Sequence, residues 1–146
     1  MNWNIRAMTA ADVPQVAAME RACFSDPWPE QVIAKELENE LSLWLVAAKG
    51  ETVLGYVGSQ TVLGEADMMN LAVGAEHRRQ GIAAALLAEA RAYARKNEMT
   101  RICLEVRASN AAARSLYEDF GFEEDGVRPG FYDSPKEDAV LYSLYI

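Results

Sequence analysis

The stretch from Ala66 to Lys96 constrains the fold most. Met68 to Val73 is apolar and strand-like, and beyond it the period of the apolar residues changes abruptly. Ile82, Leu86, Ala90, Tyr93 and Ala94, with Leu87 alongside, recur every three or four residues, which is the buried face of an amphipathic helix. Between them lies a short basic turn, His77, Arg78, Arg79, Gln80 and Gly81, followed by the small Ala83 and Ala84. A helix start leaves backbone N–H groups without intrahelical partners and carries partial positive charge. Gly81 and the alanines let a bulky anion approach those amides, and the arginines add a cationic rim, so the turn has the makings of a phosphate or pyrophosphate cradle. The same residues also fit a solvated loop before an ordinary helix, and the short motif does not separate the two. It is neither a Walker loop, since no Gly-Lys-Ser/Thr ending is present, nor a GlyxGlyxxGly fingerprint.

With 146 residues and 51% hydrophobic content, the chain is long enough for one sizeable core and too short for two ordinary ones, so 1–146 reads as a single domain. No apolar run is long enough to span a bilayer, and the first residues lack a basic region followed by an apolar core; a cytoplasmic protein is expected. Cys23 and Cys103 form no metal-binding spacing and are expected to stay reduced. A formal charge of −8 argues against nucleic acid or anionic membrane as partner and favours a cationic one.

In chain order, residues 3–8 form a strand, and Thr9 with Asp12 opens a helix whose apolar positions include Val13, Val16 and Ala17. Pro27 and Pro29 break it, and a second helix runs over 29–39. Strands come next at 43–48, 53–63 and 66–73, then the helix over 80–96. Arg101 to Arg107 alternates, with Ile102, Leu104 and Val106 on one face and Arg101, Cys103, Glu105 and Arg107 on the other. Ser109 or Asn110 caps a helix closed by Gly121. Segments 122–127 and 139–146 are strands, joined by an aromatic, turn-rich connection over 128–138. Arg114 and Glu118 read as an i,i+4 surface pair. Such a mixed α/β chain needs helices on both faces of its sheet.

Three blocks then coincide in order and spacing: Asn70-Leu71-Ala72-Val73, the turn from Arg78 to Ala83, and the long run from Leu104 through Glu105, Ser109, Asn110, Leu116 and Tyr117 to Phe122. Together they resemble the GNAT superfamily of N-acetyltransferases, and within it the bacterial RimI-type ribosomal-protein-alanine N-acetyltransferases. The resemblance spans nearly the whole chain and is strongest over 66–122. Ala83 stands where many members carry Gly; Ala still permits a close backbone approach.

The resemblance implies an α/β (α+β) GNAT fold: a twisted mixed sheet of about six to seven strands, two central parallel strands splayed apart, and about four flanking helices. It implies acetyl-CoA as acetyl donor and no metal. Leu71, Ala72 and Val73 would offer strand backbone to the pantetheine arm. Arg78, Arg79, Gln80, Gly81, Ile82, Ala83 and Ala84 would hold the pyrophosphate, and Asn110 would touch the cofactor arm. Glu105 would be general base and Tyr117 general acid, in direct attack by an amine. Taken alone, the residues have plainer readings: Glu105 as a solvated strand carboxylate, Tyr117 as a core tyrosine, Asn110 as a helix cap. The chemistry is coherent, because an α-ammonium has a pKa of about 7.7–8.0 and must lose a proton before it attacks.

By the same resemblance, the acceptor is the N-terminal alanine of small-subunit ribosomal protein eighteen, presented on a basic segment. Residues 24–28, with Trp28, and 128–133, with Arg128 and Tyr132, are expected to form opposite lips of a peptide groove, with Glu123, Glu124 and Asp133 receiving cationic side chains. A GNAT enzyme acting on a small amine or polyamine, and a non-catalytic acetyl-CoA-binding module, are the alternatives. The oligomeric state is not legible.

Overall fold

Alternating and helical patterns resolve into eleven main elements in the computed structural model, which describes residues 2–146. They are β1 (Asn4–Ala7), α1 (Val13–Cys23), α2 (Glu30–Glu36), β2 (Ser42–Lys49), β3 (Thr52–Val62), β4 (Glu65–Val73), α3 (Ile82–Lys96), β5 (Arg101–Arg107), α4 (Ala111–Phe120), β6 (Glu123–Asp133) and β7 (Lys136–Tyr145). Single 3₁₀ turns precede α1 and α3. The strands form one mixed sheet in the order β1-β2-β3-β4-β5-β7-β6. This seven-stranded mixed sheet with four helices is the arrangement that the resemblance implied. Among the described residues no helix is long and apolar enough to cross a membrane.

The sheet parts in the middle. β4 and β5 run parallel and pair only at Ala66↔Ile102 and Asp67↔Cys103; beyond Asp67 the two strands separate. On its other side β4 stays paired with β3 up to Val73, with an irregularity opposite Gly58 and Ser59 where Met69 is the extra residue. A bulge of this kind bends its strand and resets the alternation of side chains. Ala66 and Met68 accordingly join the core on one face, while Met69 and Asn70 both turn to the other.

Each face has its own apolar cluster. Leu86 and Leu87 of α3 and Tyr117 of α4 pack on Ile102, Leu104, Val106 and Tyr142. Val16, Ala17 and Ile33 of α1 and α2 pack on Trp44, Val46, Tyr56 and Ala72, all from β2–β4. No residue of β5, β6 or β7 joins this second cluster, so the face of those strands that carries Glu105 and Arg107 lies open beside α1 and α2.

The expected elements differ from those observed at several ends. α2 stops at Glu36 rather than Asn39, and α3 starts at Ile82 rather than Gln80 because Gly81 is its left-handed N-cap, with φ +78°. The expected loop over 128–138 is a correction: β6 runs on to Asp133 and β7 begins at Lys136, leaving Ser134 and Pro135 as the whole connection. Pro129 and Gly130 are accommodated because β6 is the edge strand, where a missing N–H faces solvent, and pairing with β7 slips between Arg128 and Tyr132.

One close contact sets the geometry under α1 and α2. Gly58 pairs with Trp44, and a Cβ at Gly58 would lie 2.6 Å from the indole. The indole cannot retreat, since it stacks on Tyr56 at 6.1 Å, meets Trp28 at 5.8 Å and donates Nε1–H to Glu36. Gly58→Ala is expected to destabilise the fold by about 1–3 kcal/mol, read as a fall of several degrees in thermal midpoint by calorimetry.

Candidate functional site

The separation of β4 from β5 opens a cavity of about 410 Å³. Leu71, Ala72 and Val73 of β4 line it on one side, Arg78, Arg79, Gly81, Ile82, Ala83 and Ala84 close one end, and Asn110, Ala112, Ala113, Leu116 and Tyr117 form the far wall. Local chemistry explains the closing turn. Arg79, a non-glycine residue, takes φ +65° and Gly81 takes φ +78°, which folds the chain tightly back before the helix. The first helical bond in α3 is Ala85 N–H to Gly81 O at 3.0 Å, so the amides of Ile82, Ala83 and Ala84 have no partner within the helix. A Cβ at Gly81 would meet nothing within 4 Å, so this side of the turn is open to a ligand. Asn110 caps α4 by accepting from Ala113 N–H at 3.1 Å while bordering the same space.

Of the residues expected here, Gln80 is set apart. It borders a separate hollow with Trp3, Lys49 and Leu54, and only His77 belongs to both. Unpaired amides, two arginines and small side chains suit the diphosphate of a nucleotide, and the apolar β4 edge suits an uncharged arm.

Glu105 and Tyr117 lie on opposite faces of the sheet. Tyr117 packs with Phe122 and Tyr142 under α4, and burial pushes its phenol well above the usual range. Glu105 is on the open face, its side chain 36% exposed. Tyr117 borders the cavity, whereas Glu105 is not part of its lining. Burial, and next the negative charge of Asp67, raise the Glu105 carboxyl above its ordinary range, while Arg128 pulls it back. Burial alone raises Asp67. Arg128 Nη1 is 3.9 Å from Glu105 Oε1 with its own side chain 53% exposed, an exposed pair worth about 0–1 kcal/mol.

The two expected lips are physically joined. Arg107, at the end of β5, donates to Ser25 Oγ at 3.1 Å on the α1–α2 loop, and to Pro135 O at 2.8 Å and Ser134 O at 3.3 Å on the β6–β7 turn. Its guanidinium also lies 4.4 Å from the Tyr132 ring centre and 3.2 Å from Glu137. Glu137 in turn accepts from Ser109 N–H at 2.6 Å, which ties this latch to the loop leading into α4. Trp28 is anchored from below, since its backbone N–H donates to Glu20 Oε2 at 3.0 Å.

Two expected surface assignments are corrected. Arg114 and Glu118 do not pair: Arg114 donates to Tyr142 Oη at 3.0 Å and to Glu124 at 3.1 Å, while Glu118 accepts from the Tyr142 hydroxyl at 2.6 Å. Glu124 therefore faces α4 and not the expected groove, because it pairs with Tyr142, whose ring lies on the α4 side of the sheet. Cys103 is half-buried, and burial raises its thiol, which suits an inert side chain.

Sequence reasoning missed Cys23, Asp67, Arg107 and Glu20, and it placed Phe24 on a lip rather than at the cavity. Cys23 and Phe24 border the cavity where α1 ends, and Asp67 stands at the last paired rung before the strands part. Glu20 is fully buried and accepts from Tyr56 Oη at 2.6 Å and Asn70 Nδ2 at 2.7 Å as well as from Trp28. Its signal was in the sequence: positions 13, 16, 17 and 20 make one helical stripe, and a carboxylate in that stripe marks a buried polar network.

With this geometry, residues 13–122 match the Acetyltransferase (GNAT) family profile. A putative ribosomal protein bS18-alanine N-acetyltransferase of Bacillus subtilis is 33% identical over 138 residues, covering 94% of this chain and 91% of that protein. The ribosomal protein bS18-alanine N-acetyltransferase of Escherichia coli K12 is 33% identical over 144 residues, with 97% of each chain covered. The crystal structure of the ribosomal-protein-S18-alanine N-acetyltransferase from Escherichia coli superposes with a TM-score of 0.89, covering 99% of this chain and 94% of that one, at 33% identity. The chain belongs to the GNAT family of acetyltransferases. It is an acyltransferase, and its near relatives are RimI-type enzymes.

The Arg107 latch makes a structural prediction. Arg107→Ala is expected to speed amide hydrogen exchange of 24–28 and 131–136 together, leaving the β3 and α3 amides unchanged, as read by mass spectrometry. Faster exchange in one segment alone would mean that the two lips are held separately.

Proposed function

We propose that this acetyltransferase transfers the acetyl group of acetyl-CoA to the α-amino group of a protein N-terminus, and that the acceptor is the N-terminal alanine of ribosomal protein bS18, on a basic segment. The observation that carries the reading is the parting of β4 from β5. It places a carboxylate, Glu105, on the open face and a phenol, Tyr117, on the other, with a cavity lined by unpaired helix amides between β4 and α4. The relatives that match across nearly the whole chain support the choice of acceptor.

In this reading the β4 backbone at Leu71, Ala72 and Val73 aligns the pantetheine arm, and Arg78 and Arg79 with the amides of Gly81, Ile82, Ala83 and Ala84 hold the diphosphate. Asn110 borders the arm from α4, and Gln80 contributes from outside the cavity. Acetyl-CoA supplies an acetyl group already activated as a thioester. Glu105 takes the proton from the acceptor ammonium, directly or through a water, which frees the nitrogen lone pair. An N–H on the unpaired edge of β4 is a pre-aimed donor for the negative charge that builds on an attacked carbonyl oxygen. Tyr117 Oη carries the proton that a departing thiolate needs, and its raised proton affinity keeps it protonated near neutrality. Trp28, Arg128 and Tyr132 frame the acceptor between the lips, and holding both reactants in line supplies an entropic advantage. The work is cytoplasmic in this reading.

A thiol-release assay with acetyl-CoA tests the proposal against its alternatives. Turnover with a basic peptide that starts with alanine supports it. Turnover with free polyamine but not peptide would make this a small-amine acetyltransferase, and no turnover with any acceptor would leave a binding module. Glu105→Gln is expected to lower kcat by about 100-fold or more while changing acetyl-CoA Kd less than about twofold. Comparable losses in both would make Glu105 a structural residue.

A further inference from the structure

Glu105 has one fixed neighbour and one movable neighbour, of opposite charge. Asp67 is fixed: it belongs to the last rung that joins β4 to β5, opposite Cys103 and one side-chain step before Glu105 on the same face. Arg128 is not held this way. Its contact with Glu105 is at 3.9 Å, its guanidinium rests against the Phe131 ring at 5.1 Å, and among the described residues it forms no other ion pair. Just beyond it the ladder is interrupted: pairing of β6 with β7 lapses between Arg128 and Tyr132, Pro129 has no N–H to donate, and Gly130, at φ +61°, gives its N–H to the Asp138 side chain at 2.8 Å.

We infer that Arg128 is a displaceable counter-ion, which covers the Glu105 carboxylate in the free protein and moves aside when the acceptor's α-ammonium takes its place. The inference rests on the reading of Glu105 as the base. An acceptor ammonium and a guanidinium repel each other over one carboxylate, so both cannot stay there, and the more exposed partner is the one free to leave. The exchange has a chemical consequence. The groups that face Glu105 are Asp67 from β4, Arg128 and Tyr132 from β6, and Leu141 across on β7, with Cys103 and Arg107 flanking it on its own strand. Of these, Arg128 alone favours the ionised form of Glu105, while burial and Asp67 disfavour it. While Arg128 is in place the carboxylate is kept ionised and ready. Once it leaves, Asp67 and burial make Glu105 a stronger base at the step where the proton passes from the ammonium nitrogen to the Glu105 carboxylate and the lone pair stays on nitrogen.

The test follows the Glu105 carboxyl by carbon-13 NMR titration, with its signal assigned by its loss in Glu105→Gln. In the free protein, Arg128→Gln is expected to raise the Glu105 midpoint by about half a pH unit. In the dead-end complex with coenzyme A and an alanine-starting basic peptide, wild type and Arg128→Gln are expected to share one midpoint. Asp67→Asn, whose partner does not move, is expected to lower the midpoint in both states. The kinetics should divide the same way: in Arg128→Gln the acid limb of kcat/KM moves to higher pH and that of kcat does not, because the first reports the free enzyme and the second the complex. A gap between wild type and Arg128→Gln that persists in the complex would overturn the inference, as would the lack of any gap in the free protein. Failure of the proposed acceptor shows separately, as an absence of thiol release by wild type with the peptide, and leaves the free-protein comparison to decide this point.

Discussion

Two backbone rungs determine everything at the site. Parallel strands placed side by side would normally pair along their shared length, but β4 and β5 do so only at Ala66↔Ile102 and Asp67↔Cys103. A strand edge left unpaired inside a protein costs free energy unless something satisfies it. The extra residue at Met69 turns β4 away while β3 holds it to its end, and α3 and α4 cover the opening from one side only. The cavity, the access of Tyr117 to it and the approach to Glu105 all come from this one departure from regular pairing.

The cost is offset nearby by close packing. Gly55 lets the start of α3 sit against β3 and β4, where a Cβ would come within 2.9 Å of Ala72 O and 3.1 Å of Ile82. Glu20 draws α1, β3, β4 and the loop bearing Trp28 onto one carboxyl group through three neutral donors, with no ion pair to it among the described residues. Such a network is rigid because each member would be left unsatisfied if another moved. Arg107 does the corresponding task on the open face, where one guanidinium holds two loops that are far apart in sequence.

What could be read from the sequence divides along physical lines. Periodicity located the helices and most strands, because burial on one face imposes a repeat that survives in a single chain. The basic turn and Gly81 located the sharp turn into α3, where Gly81 takes its left-handed conformation, but the residues of the turn fit a solvated loop as well as an anion cradle. The hairpin of β6 and β7 was hidden by Pro129 and Gly130, residues that mark loops except on a sheet edge. The fate of Arg114 was hidden as well: spacing along α4 points to Glu118, but β7 brings a Tyr142 hydroxyl between them. Asp67 and Arg107 drew no functional notice because their importance depends on where strands stop pairing, and no local pattern encodes that.

An open seven-stranded sheet has two outer rims, and each is ill-suited to recruit another chain. β1 offers only four residues, and β6 is interrupted by a proline and a slip in pairing. A foreign strand laid along β6 would find a missing donor and a kink where it needs a regular ladder. The irregularity that interrupts β6 beside Arg128 thus also makes this rim a poor template for strand-by-strand self-association.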